Sequence, residues 1–193
     1  TVTVVDSRER LIETMSELMW ERGYAATSPR EVRERSGIGQ GSMYHHFPGK
    51  GKEGLALDAI SHMRASTLAF LDGSPAPSSS APEEVRSSIV AALDRLFARK
   101  EGHALVRLLA DPVVGATTSL ASATQEWCDD IRAAIVLELR ADEPGDDPEI
   151  AAAAARLLAP EFDALAVELF TAALGRGLLG LPKFALPETS EAR

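Results

Sequence analysis

Residues 28–31, Ser-Pro-Arg-Glu, constrain the fold of this chain more than any other stretch. Serine is a favoured helix cap, proline suits the first helical position, and glutamate follows three residues after the cap. A helix that starts here runs only to about Arg35, because Ser36-Gly37-Ile38 supplies a glycine cap and a short turn. A second short helix then fits Gly39–Phe47, and Pro48-Gly49 ends it. The sequence therefore predicts two short helices joined by a tight turn.

A longer helix is predicted before this pair. Apolar residues recur at helical spacing between Ser7 and Arg22, and Asp6 with Glu9 has the pattern of a capping box. We expect Gly23 to end this helix in a left-handed conformation. The three helices together have the parts of a helix-turn-helix, which places its second short helix in the major groove of DNA.

The second short helix has an apolar face and a polar face. Met43 and Phe47 are four residues apart and are predicted to face inward. The opposite face then carries side chains that donate and accept hydrogen bonds to bases and phosphates, namely Gln40, Ser42, Tyr44 and His45. We therefore expect this helix to read DNA.

Residues 27–32 and 37–47 carry a family resemblance, which extends over roughly Leu11–Leu57. They resemble the signature of the TetR/AcrR family of bacterial transcriptional repressors. The resemblance implies an all-helical fold, with a helix-turn-helix DNA-binding domain at residues 1–54 and a larger helical effector-binding and dimerisation domain at residues 55–193. It also implies contacts to operator DNA: bases or backbone for Gln40, Ser42, Tyr44 and His45, a base for Arg30, and phosphates for Thr27, Ser28, His46 and Lys50.

Two features depart from the usual pattern of that family. Arg33 stands where a small, packed residue is usual, so its side chain must lean out of the core or contact a phosphate. The chain is also longer between Phe47 and Leu55, so the resemblance leaves open whether Lys50 or Lys52 meets a phosphate.

Each of these side chains has a simpler interpretation beside the DNA contact. Ser28 is first a helix cap, and its neighbouring amides would face an anion in either case. Tyr44 is alternatively a packing residue, and both lysines are alternatively solvated. His45 and His46 are alternatively surface histidines or a metal pair, although adjacent residues of a helix point apart.

The net charge of −9 argues at first against a nucleic-acid partner, because phosphate binding requires basic surface. The charge is unevenly distributed, however. Residues 1–54 carry eight basic and eight acidic side chains, so residues 55–193, with 12 basic and 21 acidic, carry the whole excess. Between Ala26 and Lys52 five basic residues outnumber two acidic ones, a local charge of +3. We therefore expect a basic DNA surface on an acidic protein.

The sequence offers no pattern for an enzyme, a cofactor or a metal site. The four histidines and the single cysteine, Cys128, lack metal-ligand spacing, and the acidic neighbours of Cys128 disfavour a reactive thiolate. One cysteine cannot form an internal disulfide, and no stretch is apolar enough to cross a membrane. We expect a cytoplasmic protein that does not contact membranes.

The remainder of the chain is predicted to be helical. An apolar content of 45% and a charged content of 25% are typical of a globular protein. A loop is predicted from Asp72 to Pro82, and helices are predicted at Lys52–Leu71, Glu83–Arg99, His103–Leu109, Gly115–Arg140 and Asp147–Leu181.

Two sets of apolar residues in this second half are candidates for function, and ordinary core packing is the alternative for both. The first set, which could line an effector pocket, is Met63, Phe70, Phe97, Trp127, Phe162 and Phe170. The second set, which could form a dimer interface, is Ile131, Ile135, Leu165, Leu169, Ala173 and Leu174.

These observations predict a homodimeric repressor that binds double-stranded operator DNA and is released by a small apolar or amphipathic effector. Two-fold symmetry is expected because one short helix contacts too few bases. The competing interpretation is a helical small-molecule-binding or interaction protein without operator binding.

Overall fold

The computed structural model of the chain describes residues 6–49, 51–72 and 82–138. The fold is all-helical over these residues, as predicted, and none of them lies in a strand. The helices are α1 Ser7–Arg22, α2 Pro29–Ser36, α3 Gln40–His46, α4 Gly51–Leu71, α5 Pro82–Phe97, α6 Lys100–Ala110, α7 Pro112–Ala116 and α8 Thr118–Glu138. The predicted helix Asp147–Leu181 lies outside the described residues. Within the described ranges, no helix has the length and apolar character needed to span a membrane.

The two ends of α1 differ from the sequence prediction. Asp6 is the N-cap residue, but its side chain makes no capping hydrogen bond, so the predicted capping box with Glu9 is wrong. Gly23 does end the helix, and its N–H bonds to the Met19 carbonyl at 3.0 Å. Its backbone has φ 84° and ψ 175°, which is an extended conformation at positive φ and not the predicted left-handed helical one.

The stretch predicted as one helix, Gly115–Arg140, is divided in the structure. The chain forms the short helix α7 first, and α8 begins only after Thr117. Asp111 caps α7 by accepting hydrogen bonds from the Val113 and Val114 amides, and Pro112 occupies the first turn. This cap and proline are the same start signal that residues 28–31 carry, so the start of α7 is visible in the sequence.

One hydrophobic core connects the described helices. Helix α4 is central to it, because α4 packs mainly against α8 and α1 and also against α6. Leu55, Ala56 and Ala59 of α4 are fully buried in this core. Since α4 crosses the predicted boundary between residues 54 and 55 and α1 packs directly against α6, the DNA-binding unit and the second half share one packed core. The boundary itself stays a prediction.

Candidate nucleic-acid interface

Helix α2 begins and ends as the sequence predicts. Ser28 Oγ accepts a hydrogen bond from the Glu31 backbone N–H at 3.1 Å, and Pro29 is the first helical residue. At the other end Gly37 adopts the left-handed conformation, with φ 69° and ψ 18°. Only residues 37–39 separate α2 from α3. The pair therefore has the tight turn of a helix-turn-helix.

Helix α3 presents a polar face to solvent, and its apolar face packs against the hydrophobic core. Met43 and Phe47 are buried, which confirms the predicted inner face. Gln40, Tyr44 and His45 are exposed, and Tyr44 is 52% exposed. A tyrosine ring that is more than half in solvent contributes little to packing, so the packing alternative is disfavoured and the DNA contact of Tyr44 stays a prediction.

Ser42 and His46 are half-buried beside this exposed face. The rings of His45 and His46 meet edge to face, with centroids 5.6 Å apart. Across the described ranges no group of histidines, cysteines and acids is placed to hold a metal ion. The structure thus gives no support there to the metal-pair interpretation of these histidines.

Arg33 leans out of the core and lies between α2 and α3. Its Nη1 donates to Gln40 Oε1 at 3.3 Å, and its Nε donates to the Pro29 carbonyl at 3.4 Å. Gln40 begins α3, the end of the helix that meets base edges in a major-groove complex. Arg33 therefore orients Gln40 and brings a positive charge to the same surface.

Arg30 lies on the exposed face of α2. Its Nε donates to Glu34 Oε1 at 2.7 Å, and this hydrogen bond raises the pKa of the arginine. The side chains are 80% and 63% exposed, so the ion pair competes with water and contributes little to stability. Arg30 can therefore exchange Glu34 for a base or a phosphate.

Thr27 has a different position from the one that a phosphate contact requires. Its side chain is buried, and its hydroxyl donates to the Gly23 carbonyl at 2.8 Å. This bond closes the connection between α1 and α2. The structure thus gives Thr27 a role inside the connection, whereas its neighbour Ser28 is exposed.

Lys52 lies beneath this surface. Its Nζ donates to the Tyr24 carbonyl at 2.7 Å and lies 4.0 Å from the centroid of the Tyr24 ring. Burial lowers the pKa of Lys52, and the carboxylate of Asp111 acts in the opposite direction. Lys52 is thus engaged within the protein. Lys50 lies outside the described residues, and its phosphate contact stays a prediction.

The surface formed by α2 and α3 is less basic than the charge of +3 counted over residues 26–52 indicates. Arg35 donates to both carboxylate oxygens of Glu21 at 2.7 and 2.6 Å, and it lies 3.2 Å from Glu17. The hydrogen bond from Arg35 lowers the pKa of Glu21. Both acids belong to α1, outside the stretch 26–52 in which the charge of +3 was counted. Neighbouring helices therefore neutralise part of that charge.

Comparison with known proteins shows which family the amino-terminal segment resembles. The family described as bacterial regulatory proteins, tetR family, matches residues 11–59. This segment is therefore similar to members of that family. The resemblance found in the sequence is thereby confirmed, and the match covers both α2 and α3.

Two relatives from Bacillus subtilis are similar to the same part of the chain. The HTH-type transcriptional regulator LmrA is 41% identical over 59 residues, which are 31% of this chain and 31% of LmrA. The HTH-type transcriptional regulator YxaF is 44% identical over 57 residues, which are 30% of this chain and 29% of YxaF. The matched segment thus spans less than a third of each relative. Both names denote transcriptional regulators.

The likeness extends further in the fold than in the sequence. The protein SCO7518 from Streptomyces coelicolor has a TM-score of 0.60 at 22% identity, covering 83% of this chain and 85% of its own. A TetR/AcrR transcriptional regulator from Aquifex aeolicus has a TM-score of 0.54 at 17% identity, covering 93% and 91%. At such identities the likeness shows the fold alone.

The residues predicted to line a pocket are partly brought together. Met63 and Trp127 are buried in the common core, and Phe70 and Phe97 pack at its edge. The indole N–H of Trp127 is buried without a hydrogen-bond partner in the part of the chain that the structure describes. Phe162 and Phe170 lie outside the described residues.

The residues predicted to form a dimer interface divide in a similar way. Ile131 and Ile135 are buried within the single chain and belong to its core. Their position favours the intramolecular alternative. The rest of the set, Leu165, Leu169, Ala173 and Leu174, lies outside the described residues, so their interface role stays a prediction.

The sequence alone does not show the parts that Arg33 and Asp111 play around the exposed face of α3. It marks Arg33 only as a departure from the family pattern, because the contact of its side chain with Gln40 joins two helices. Asp111 bonds to the Ala25 amide at 2.7 Å across 86 residues of chain. Its pairing with Pro112 was a visible cap signal, but the contact with Ala25 depends on tertiary packing.

Proposed function

We propose that this protein is a sequence-specific DNA-binding transcriptional regulator that acts as a homodimeric repressor. The observation that carries the proposal is α3, where Met43 and Phe47 are buried and Gln40, Tyr44 and His45 are exposed. A helix anchored by one face, with hydrogen-bonding side chains on the other, has the form of a recognition helix. The tetR-family match and the names of the relatives support this function.

The proposed reading surface follows from the positions of the side chains. Gln40, Tyr44 and His45 approach bases or backbone, with Ser42 beside them. Arg30 and Arg33 supply positive charge from α2, and the exposed cap Ser28 presents the first amides of that helix to a phosphate. His46 and Lys50 complete the predicted phosphate contacts, whereas the buried Thr27 holds the connection behind them.

The proposed domains divide the work between DNA and effector. Residues 1–54 would read the operator, and residues 55–193 would bind the effector and form the dimer through the segment that contains Leu165, Leu169 and Leu174. A dimer places two copies of α3 in successive major grooves, about 34–36 Å apart. A DNA partner also supports the cytoplasm as its compartment, since that is where bacterial DNA lies.

The proposed effector is a small apolar or amphipathic molecule. Trp127 supports this idea, because a buried N–H without a partner costs free energy that a ligand acceptor would recover. Arg64 of α4 bonds to Asp130 of α8 at 2.7 Å, so α8, which carries Trp127, is tied to α4. A ligand that binds one position of α4 more tightly would shift the separation of the recognition helices and release DNA.

The alternative function is a helical small-molecule-binding or interaction protein without operator binding. Replacement of Tyr44 separates the two functions. We expect Tyr44→Ala to weaken operator binding about tenfold or more, because contacts to bases and backbone contribute about 1–3 kcal/mol each. Fluorescence anisotropy with labelled promoter DNA from the regions that flank the gene of this protein measures this affinity.

Leu109→Ala is the matched control for Tyr44→Ala. Leu109 is 54% exposed, close to the 52% of Tyr44, but it lies at the end of α6. Its replacement should leave DNA affinity unchanged. Thermal unfolding should be similar for both variants and the parent. Equal operator affinity of Tyr44→Ala and the parent would show that α3 does not read DNA as proposed.

A further inference from the structure

Asp111 joins the two halves of the molecule through a single side chain. It is buried at the turn between α6 and α7. Its Oδ1 accepts hydrogen bonds from the Val113 and Val114 amides at 2.9 and 3.4 Å and so caps α7. Its Oδ2 accepts a hydrogen bond from the Ala25 amide at 2.7 Å. The two oxygens therefore serve two different parts of the molecule.

Ala25 lies in the connection between α1 and α2, just before the cap residue Ser28. This connection passes close to Asp111, since a Cβ at Gly23 would lie 3.4 Å from Asp111 Oδ2. The carbonyl of Tyr24, the residue before Ala25, accepts a hydrogen bond from Lys52 of α4. The connection is therefore held by α4 through Lys52 and by the α6–α7 turn through Asp111.

We propose that Asp111 is a positioning residue for operator binding, and that it makes operator affinity depend on where the α6–α7 turn lies. Its carboxylate holds the α1–α2 connection, and with it the start of α2, in the arrangement that meets DNA. This inference rests on the proposed function. It adds a polar link between the two halves to the packing of α1 against α4 and α6.

The physical reason lies in the exposed middle of this connection, because its buried residues, Tyr24 and Thr27, only flank it. Ala25, Ala26 and Ser28 are exposed, so few packing contacts hold them. A hydrogen bond from an amide to a carboxylate is stronger than one between neutral groups. If the α6–α7 turn moves away, the Ala25 amide turns to water and the connection samples other conformations. Apparent affinity then falls with the fraction of molecules that remain ready to bind.

A purely structural role, as the cap of α7, is the competing explanation. The two roles use different oxygens, so substitution can separate them. Serine is a good helix cap, but its side chain is one bond shorter than that of aspartate. Asp111→Ser therefore keeps a cap for α7 and removes the contact with Ala25. Asp111→Asn keeps the length of the side chain and one carbonyl oxygen, but it loses the charge.

Operator affinity of the full chain is the first measurement. The probe is a labelled duplex that the parent protein selects from random DNA. We expect Asp111→Ser to weaken binding about tenfold and Asp111→Asn to have a smaller effect. Asp129→Ala is the matched control, because Asp129 is an exposed acid bonded to Gln125 and Arg132 of its own helix. The dependence of affinity on salt should keep its slope, because Asp111 contacts no phosphate.

Amide hydrogen exchange, resolved by residue, is the second measurement, and a cap of α7 alone would not change it. We expect faster exchange at Ala25 in Asp111→Ser. Binding of the selected duplex should slow exchange at Val113 and Val114 in the parent but not in Asp111→Ser, because coupling between sites is reciprocal.

The outcomes separate the two proposals. Equal operator affinity of the parent and Asp111→Ser, or protection of Val114 by DNA that survives this substitution, overturns the role of Asp111 alone. Failure of the parent to select any duplex overturns the proposed function, and the role of Asp111 with it. If Asp111→Ser does not fold, Asp111→Asn decides: weakened binding with faster exchange at Ala25 supports the role, and parental values overturn it.

Discussion

Two neighbouring hydroxyl residues at the start of α2 have opposite environments. Thr27 is buried and bonds to the Gly23 carbonyl, whereas Ser28 is exposed and caps the helix. The cap of Ser28 was predictable because it depends on residues 28–31 alone. The burial of Thr27 was not, because it depends on how the α1–α2 connection folds back on the core.

The buried indole N–H of Trp127 predicts which chemical group the effector carries. Its unpartnered indole N–H should favour an apolar ligand that carries one hydrogen-bond acceptor. We expect a medium-chain methyl ketone to shift the fluorescence of Trp127 and to weaken operator binding more than the alkane of the same length. The variant Trp20→Phe isolates this signal, since the chain has two tryptophans. Equal effects of the ketone and the alkane would contradict a role for the N–H.

At the scale of the helices, the approach of α6 to α5 depends on a glycine. A Cβ at Gly102 would lie 2.4 Å from the Leu96 carbonyl oxygen, which is backbone and cannot move aside alone. We expect Gly102→Ala to lower the free energy of unfolding by about 1–3 kcal/mol, because the two helices must shift. Denaturant unfolding of the two proteins measures the difference.

Gly115→Ala is the matched control for this effect. Gly115 is also helical, but a Cβ there has no atom within 4 Å, so alanine should be neutral or stabilising by up to about 1 kcal/mol. If the two variants had equal stability, the close contact between α5 and α6 would not constrain residue 102.

Helices α1, α2 and α3 could be predicted almost to the residue because their ends carry local signals. The bounds of α1, Ser7–Arg22, follow from its apolar periodicity, and those of α2 follow from Ser28 and Gly37. The start of α7 also has a local signal, Asp111-Pro112, whereas the break at Thr117 before α8 has none. The exposed face of α3 was predictable from spacing, whereas the hydrogen bond from Arg33 to Gln40 joins two helices and leaves no local pattern.

In the molecule as a whole, one hydrophobic core and a set of polar contacts join helices α1–α3 to the second half. Helix α4 passes through this core, and Asp111 and Lys52 both bind the α1–α2 connection. The acidic surplus lies in residues 55–193, so repulsion there limits non-specific contact with DNA. Because Arg35 is paired with acids of α1, we expect base contacts from α3 to contribute more to binding than a general basic charge does.

The most direct measurement is selection from random double-stranded DNA by the full-length protein, with affinity then determined at several salt concentrations. We expect one enriched palindromic sequence, with half-sites about one helical turn apart, and an affinity that decreases as salt increases. Absence of any enriched sequence, or equal affinity for selected and random duplexes, would contradict the assignment of this protein as an operator-binding regulator.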